Sequence, residues 1–196
     1  MTYIETVPPD DATGEIAEIY DASRATFGML PNFARAFSLR PHVYAAWLGL
    51  NGAIKAEADL RRYELATVAA ARRLRSSYCM LAHGSILADK FLGPDAVRAV
   101  AGDPHDAGLD EVDVAVMELA DKVAADATTV TADDVARLRD LGLADAEILD
   151  VVLAAAARCF FSKVLDGLGV DPDRAYQDLD PALRDALTVG RPIAAA

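Results

Sequence analysis

Along most of the chain, apolar residues return every three or four positions, the period of a helix with one buried face. From residue 59 to 73, leucine, alanine and valine hold one side while Arg61, Arg62, Arg72 and Arg73 fall largely off it. The same reading predicts helices over 14–27, 32–38, from Pro41 through Trp47 and Ile54, and over 109–124. A long apolar helix over 145–165 is closed by Gly167 and Gly169. Pro41 suits a first helical turn. Thr131-Ala-Asp-Asp134 has the form of an N-cap with acid in the first turn, and Gly142 that of a left-handed C-cap. Breaks are expected at Gly28-Met-Leu-Pro-Asn32, at Ser76-Ser77, at Gly93-Pro94 and through the loop 101–108. A short helix over 95–100 lies between the last two. The tail from Pro172 has a weak helical pattern and is expected to pack on a neighbouring surface or fray. No alternation of apolar and polar residues runs far enough to predict a strand.

The expected architecture is all-α, a helical bundle, with one domain over residues 1–175 and a C-terminal tail over 176–196. Within it lies a faint repeat. Glu64 and Ser76 stand twelve apart, as do Glu147 and Cys159. In that register Arg75 matches Arg158, Cys79 falls opposite Ser162, His83 opposite Asp166 and Gly84 opposite Gly167. Two similar helical hairpins would give such a pattern, and so would coincidence in an alanine-rich chain.

Composition narrows the function classes. The 196 residues are 53% hydrophobic and only 7% aromatic, with a formal net charge of −12. That charge argues against nucleic acid or an anionic membrane surface as the main partner. The longest apolar runs fall well short of the ~20 residues a membrane span needs. The opening residues lack the basic start and apolar core of a signal peptide, so a cytoplasmic protein is expected. Cys79 and Cys159 are the only cysteines and are expected as thiols in a reducing compartment.

The candidate chemistry lies between Glu64 and His83. Cys79 and His83, four apart, share a face of any helix that carries both. With Ser76 as N-cap, Cys79 sits in the first turn, where helix dipole and free N–H groups favour a thiolate. His83 can relay the thiol proton, and Glu64 across a hairpin can orient His83. Each residue also has a plain structural reading: Cys79 as a small buried hydrophobe, His83 as a satisfied core group, Ser76 as a cap without chemistry, Tyr78 as a packing aromatic. His42 suits a helix start and His105 a solvated loop. Three scattered histidines predict no metal site, and no glycine-rich phosphate loop or other cofactor signature is present.

The spacing resembles the motif of the alkylhydroperoxidase-D/carboxymuconolactone-decarboxylase family. That motif is a glutamate, eleven residues, a cysteine, two residues, a second cysteine, three residues and a histidine. Here Glu64, Ser76, Cys79 and His83 hold those places, with Tyr78 and Ala82 matching a common form of the motif. The 28–32 turn, the Leu138-Arg-Asp-Leu-Gly142 helix end and the 164–170 stretch are similar to the family's peroxidase-related branch. The resemblance thus covers about residues 10–175. It implies an AhpD-like helical bundle and a homo-oligomer (dimer, trimer or hexamer). It also implies an organic hydroperoxide as small-molecule substrate, an external thiol reductant and no cofactor. Cys79 would attack the peroxide, with Glu64 and His83 as proton relay; Tyr78 and the Ser76 position would face the substrate.

The departure is Ser76, which stands where the family's first cysteine belongs and cannot close a disulfide. The expected activity is therefore a one-cysteine peroxidase or an impaired cycle. Two alternatives remain: an acid–base lactone decarboxylase or isomerase using His83 and Glu64, with Arg72, Arg73 or Arg75 as carboxylate anchor, or a non-catalytic oligomeric binding protein on the same scaffold.

Overall fold

The computed structural model describes residues 2–195. Ten α-helices are found there, joined by short 3-10 turns and one π turn, with no strand among the described residues. They are α1 (Gly14–Phe27), α2 (Asn32–Ala36), α3 (Pro41–Glu57), α4 (Leu60–Arg73), α5 (Ser77–Leu87), α6 (Pro94–Gly102), α7 (Glu111–Asp126), α8 (Ala132–Asp140), α9 (Asp145–Gly167) and α10 (Pro181–Leu187).

Helix α4 runs through the centre. Every residue from Tyr63 to Ala71 is buried, because α5, α7 and α9 all pack against it. Its alanines at 66, 69, 70 and 71 leave room for such neighbours, and its arginines sit at the two ends. Asp59 caps its start, the carboxylate accepting from the Arg62 N–H at 2.9 Å.

Helix α4 ends in an unexpected way. Arg75 adopts a left-handed conformation, φ 56°, and the Ser76 N–H reaches back to the Ala71 carbonyl at 3.0 Å. This is the cap that glycine usually supplies. The turn frees the chain to begin α5 at once. Beyond α5, the expected break at Gly93 is preceded by a π turn over Ala88–Leu92. The capping box at Thr131–Asp134 is present, and Gly142 is left-handed, φ 96°. Gly167 is the last residue of α9, and the left-handed position after it is Gly169, φ 69°.

The second half of the faint repeat takes a different form from the first. Glu64 to Gly84 spans α4, a turn and α5, whereas Glu147 to Gly167 lies on the single helix α9.

The tail packs rather than frays. Leu183 and Leu187 of α10 are buried in the common core against α5 and α6. Further on, the Gly190 N–H donates to Ser77 Oγ at 2.7 Å, and Arg75 Nε donates to the Val189 carbonyl at 3.3 Å. The end of the chain therefore holds the α4–α5 junction from outside.

Candidate functional site

Cys79 is the third residue of α5, within its first turn. Its N-terminal neighbour at the cap, Ser76, does not act as the sequence suggests. Ser76 occupies the N-cap position but its side chain makes no capping bond. Its hydroxyl is buried without a well-formed hydrogen bond, on the side of Asp166. Burial raises the Asp166 carboxyl, and Ser76 and Arg191 pull against that rise. Ser76 is not among the residues lining the cavity above Cys79.

That cavity has a volume of about 190 Å³, which suits a small ligand. Phe27, Phe33, Tyr44, Trp47, Tyr78 and Phe161 line it, with Leu48 and Ile86. Its polar groups are Cys79, His83, Asn51, Lys55 and Arg158. The rings brace one another: Trp47 stacks on Phe161 with centroids 4.8 Å apart, and Phe33 meets Phe161 edge-on at 5.7 Å.

Two donors from α9 converge on the sulfur. Ser162 Oγ donates to Cys79 Sγ at 3.1 Å, and Arg158 Nη1 approaches it at 3.5 Å. Positions 158 and 162 are one turn apart, so a single helix face supplies both. Arg158 is buried, 3% exposed. Burial works against its charge, and the sulfur and the Tyr63 hydroxyl more than offset this, so the guanidinium is held charged. A cation and a hydroxyl donor at this range can steady a thiolate as it forms.

One turn along α5 from Cys79, His83 Nδ1 lies 2.5 Å from Glu64 Oε2. Lys55 Nζ stands 3.8 Å from the other carboxylate oxygen. Burial and the Arg158 charge lower the His83 pKa, against the pull of Glu64. Burial also raises the Glu64 carboxyl, but the contact with His83, with Lys55 and Arg158 behind it, brings it below its ordinary range. Near neutral pH the pair therefore holds one proton, on Nδ1, with Glu64 ionised. That leaves Nε2 of a cavity-lining imidazole as a free acceptor.

Tyr78 lines the same cavity, but its hydroxyl donates to the buried Asp173 carboxylate. Burial and the Asp173 charge push its pKa well above that of a free phenol. It is thus a fixed wall, and no acid. Asp173 also accepts from the Asn32 N–H at 2.8 Å, tying the 28–32 turn to the segment after α9.

Cys159, next to Arg158, does not line the cavity and is a free thiol. Burial raises its pKa. The arginines proposed as a carboxylate anchor lie elsewhere. Arg73 pairs with Asp121, Arg72 Nη1 reaches the Val100 carbonyl at 3.5 Å, and Arg75 binds the Val189 carbonyl. The arginine at the site is Arg158, which the sequence marks only as the repeat partner of Arg75. His42 is exposed on α3, and His105 Nε2 meets Glu118 at 3.2 Å on the surface.

No protein-family model matches the sequence, and no curated protein does. Solved structures do match the fold. An uncharacterised peroxidase-related protein from Ralstonia eutropha JMP134, described as an alkylhydroperoxidase AhpD core, shares 19% identity, with a TM-score of 0.80 over 97% of this chain and 98% of its own. A peroxidase-related protein from Silicibacter sp. TM1040 gives 18% and 0.81, over 90% and 94%. The debrominase Bmp8, as an alanine-for-cysteine variant in complex with 2,3,4-tribromopyrrole, gives 14% and 0.73, over 95% and 96%. The chain has the all-helical AhpD-like fold.

Proposed function

We propose that this protein is a thiol-dependent reductase acting through a single cysteine, Cys79, on an organic hydroperoxide. One observation carries the reading: a first-turn cysteine at the wall of an apolar cavity, with Arg158 and Ser162 donating to its sulfur. A structural cysteine has no need of two such donors. In the reaction, the Cys79 thiolate attacks the distal peroxide oxygen. The O–O bond breaks, the alcohol leaves with a proton, and Cys79 becomes a sulfenic acid. His83 takes the thiol proton on Nε2 and returns it to the leaving alkoxide, with Glu64 holding the imidazole in place. With serine at 76 there is no neighbouring thiol to close a disulfide. One external thiol condenses with the sulfenic acid and releases water; a second frees Cys79 as the external disulfide forms.

A second reading follows from the likeness to a debrominase and from the ring-lined cavity. Cys79 would take a halogen from an aromatic carbon, which gains a proton. Two external thiols would then restore Cys79, releasing halide and a disulfide. An acid–base lyase built on His83 and Glu64 would not need the sulfur at all.

The test is incubation with cumene hydroperoxide, or with a bromopyrrole, in the presence of dithiothreitol. Sulfenic-acid trapping and peptide mapping are run in parallel. Alcohol formation with modification at Cys79 and loss in Cys79→Ala supports the peroxidase; bromide release supports the second reading. Trapping at Cys159 alone, or no turnover with either substrate, would overturn both.

A further inference from the structure

We propose that the substrate of this site is aromatic and acidic: a planar ring held among the cavity rings, with an anionic oxygen on Arg158 adjacent to the bond that Cys79 attacks. The inference deepens the thiol-reductase reading and rests on it.

The ring preference comes from where the chain spends its few aromatics. It is only 7% aromatic, yet Phe27, Phe33, Tyr44, Trp47, Tyr78 and Phe161 all line one cavity. Their stacked and edge-on contacts fix the walls, and such walls favour a flat ring over a puckered or flexible one. Leucines and valines would serve a general alkyl hydroperoxide as well.

The acid preference comes from Arg158. Its guanidinium is buried on the cavity wall and lies 5.7 Å from the Phe161 ring centroid. A charge this deep is costly without an anion against it. The polar groups that face it are the Cys79 sulfur and the Tyr63 hydroxyl. Burial, first of all, raises the Tyr63 phenol, so that group is neutral. Glu64, a carboxylate within reach of the Arg158 charge, is held by His83 and Lys55. Arg158 Nε is buried without a hydrogen bond, and a carboxylate or phenolate on the ligand would add the contact that the sulfur and the phenol leave open at the guanidinium. Because Nη1 is 3.5 Å from Sγ, the oxygen it holds and the atom the sulfur attacks must be neighbours on the ligand. An aryl hydroperoxide with a carboxylate on the carbon that bears the peroxide is the simplest such oxidant. The thiolate takes the terminal OH as sulfenic acid, the alkoxide leaves with a proton from His83, and the carboxylate stays on Arg158.

Trp47 is the only tryptophan and lines the cavity, so its fluorescence reports binding without turnover. Benzoate, benzamide and cyclohexanecarboxylate are the probes. Benzoate is expected to change Trp47 emission and to bind about tenfold or more tighter than benzamide, which lacks the charge. Against cyclohexanecarboxylate, which lacks the flat ring, a gain of a few-fold is expected. Arg158→Lys should weaken benzoate and leave benzamide unchanged. Should that variant fail to fold, the wild-type pair of acid and amide decides. Equal affinity for benzoate and benzamide, or a preference for the cyclohexane acid, would overturn the inference. If cumene hydroperoxide still converts Cys79 to a sulfenic acid while benzoate does not bind, only this inference fails. If benzoate binds and no sulfenic acid ever forms, the reductase reading fails and the acid site stands.

Discussion

Ser162 Oγ stands 3.1 Å from Cys79 Sγ, and these are the two positions that the faint internal repeat sets opposite each other. The contact gives the sulfur a neutral donor on the side of α9. Removing it in Ser162→Ala takes away one hydrogen bond, worth about 0.5–1.5 kcal/mol. The expected result is a two- to tenfold slower reaction of Cys79 with iodoacetamide at neutral pH, by the same arithmetic. Cys159 should react at its original rate, which serves as the internal control.

Gly84 faces Leu187 across the α5–α10 contact. A Cβ at 84 would stand 2.5 Å from Leu187 Cδ2, and Leu187 is fully buried. Gly84→Ala should therefore cost about 1–3 kcal/mol in urea unfolding. Leu187→Ala should cost about 2–5 kcal/mol through the cavity it leaves. The double variant should be less destabilised than the two losses added together, since each change relieves the other. Strict additivity would mean that α10 does not press on α5 in solution.

Acid should weaken the fold through the His83–Glu64 pair. Burial, with Arg158, holds His83 at about 4 in the fold, below its ordinary 6.5. Between those values the unfolded chain takes up a proton that the folded chain refuses. The stability this group contributes is complete above about 6.5 and is lost as pH falls towards 4. Glu64, also lowered, adds a loss in the same direction further down. Asp166 and Asp173, both raised by burial, work the other way. The clean measurement is the stability of the wild type relative to His83→Gln, by urea unfolding at pH 7 and pH 5. The wild type should lose about 2 kcal/mol against the variant over that interval. A constant difference would show that His83 is not held neutral.

Arg75 gives a prediction of opposite sign. An arginine at φ 56° carries a Cβ penalty that glycine avoids, about 1–2 kcal/mol. Arg75→Gly should raise stability by about 1 kcal/mol net of the lost bond to Val189, read as a higher urea midpoint. A lower midpoint would mean that the Val189 contact outweighs the backbone strain.

These cases show what was legible in the sequence. Local signals served well: the Thr131 capping box, the Gly142 end and the spacing that puts Cys79 and His83 on one face all depend on residues within a turn of each other. The family-like spacing also led to the AhpD-like fold. The α4 end is less legible, because the left-handed residue is Arg75 and not a glycine, so the sequence pattern breaks at the serines after it. Tail helix α10 gave a weak pattern, since its order comes from Leu183 and Leu187 entering a core built by α5 and α6. Arg158 and Ser162 were least legible as site residues. They meet Cys79 from about eighty positions away, and nothing local marks an arginine in an alanine-rich helix as a neighbour of sulfur. Only the repeat relates Ser162 to Cys79, and a repeat register by itself assigns no contact.

Helix α9 has two sides with different audiences. Arg158 and Ser162 leave it inwards to the sulfur, while Leu149, Leu153 and Phe160 leave it outwards and are exposed. It is one unbroken helix of 23 residues, packed against α4 and α7, so its two faces are fixed relative to one another. A rotation of α9 by even a fraction of a turn would carry guanidinium and hydroxyl off the sulfur together. The helix that presents Leu149 and Leu153 to the outside therefore also sets where both donors stand at the buried thiol.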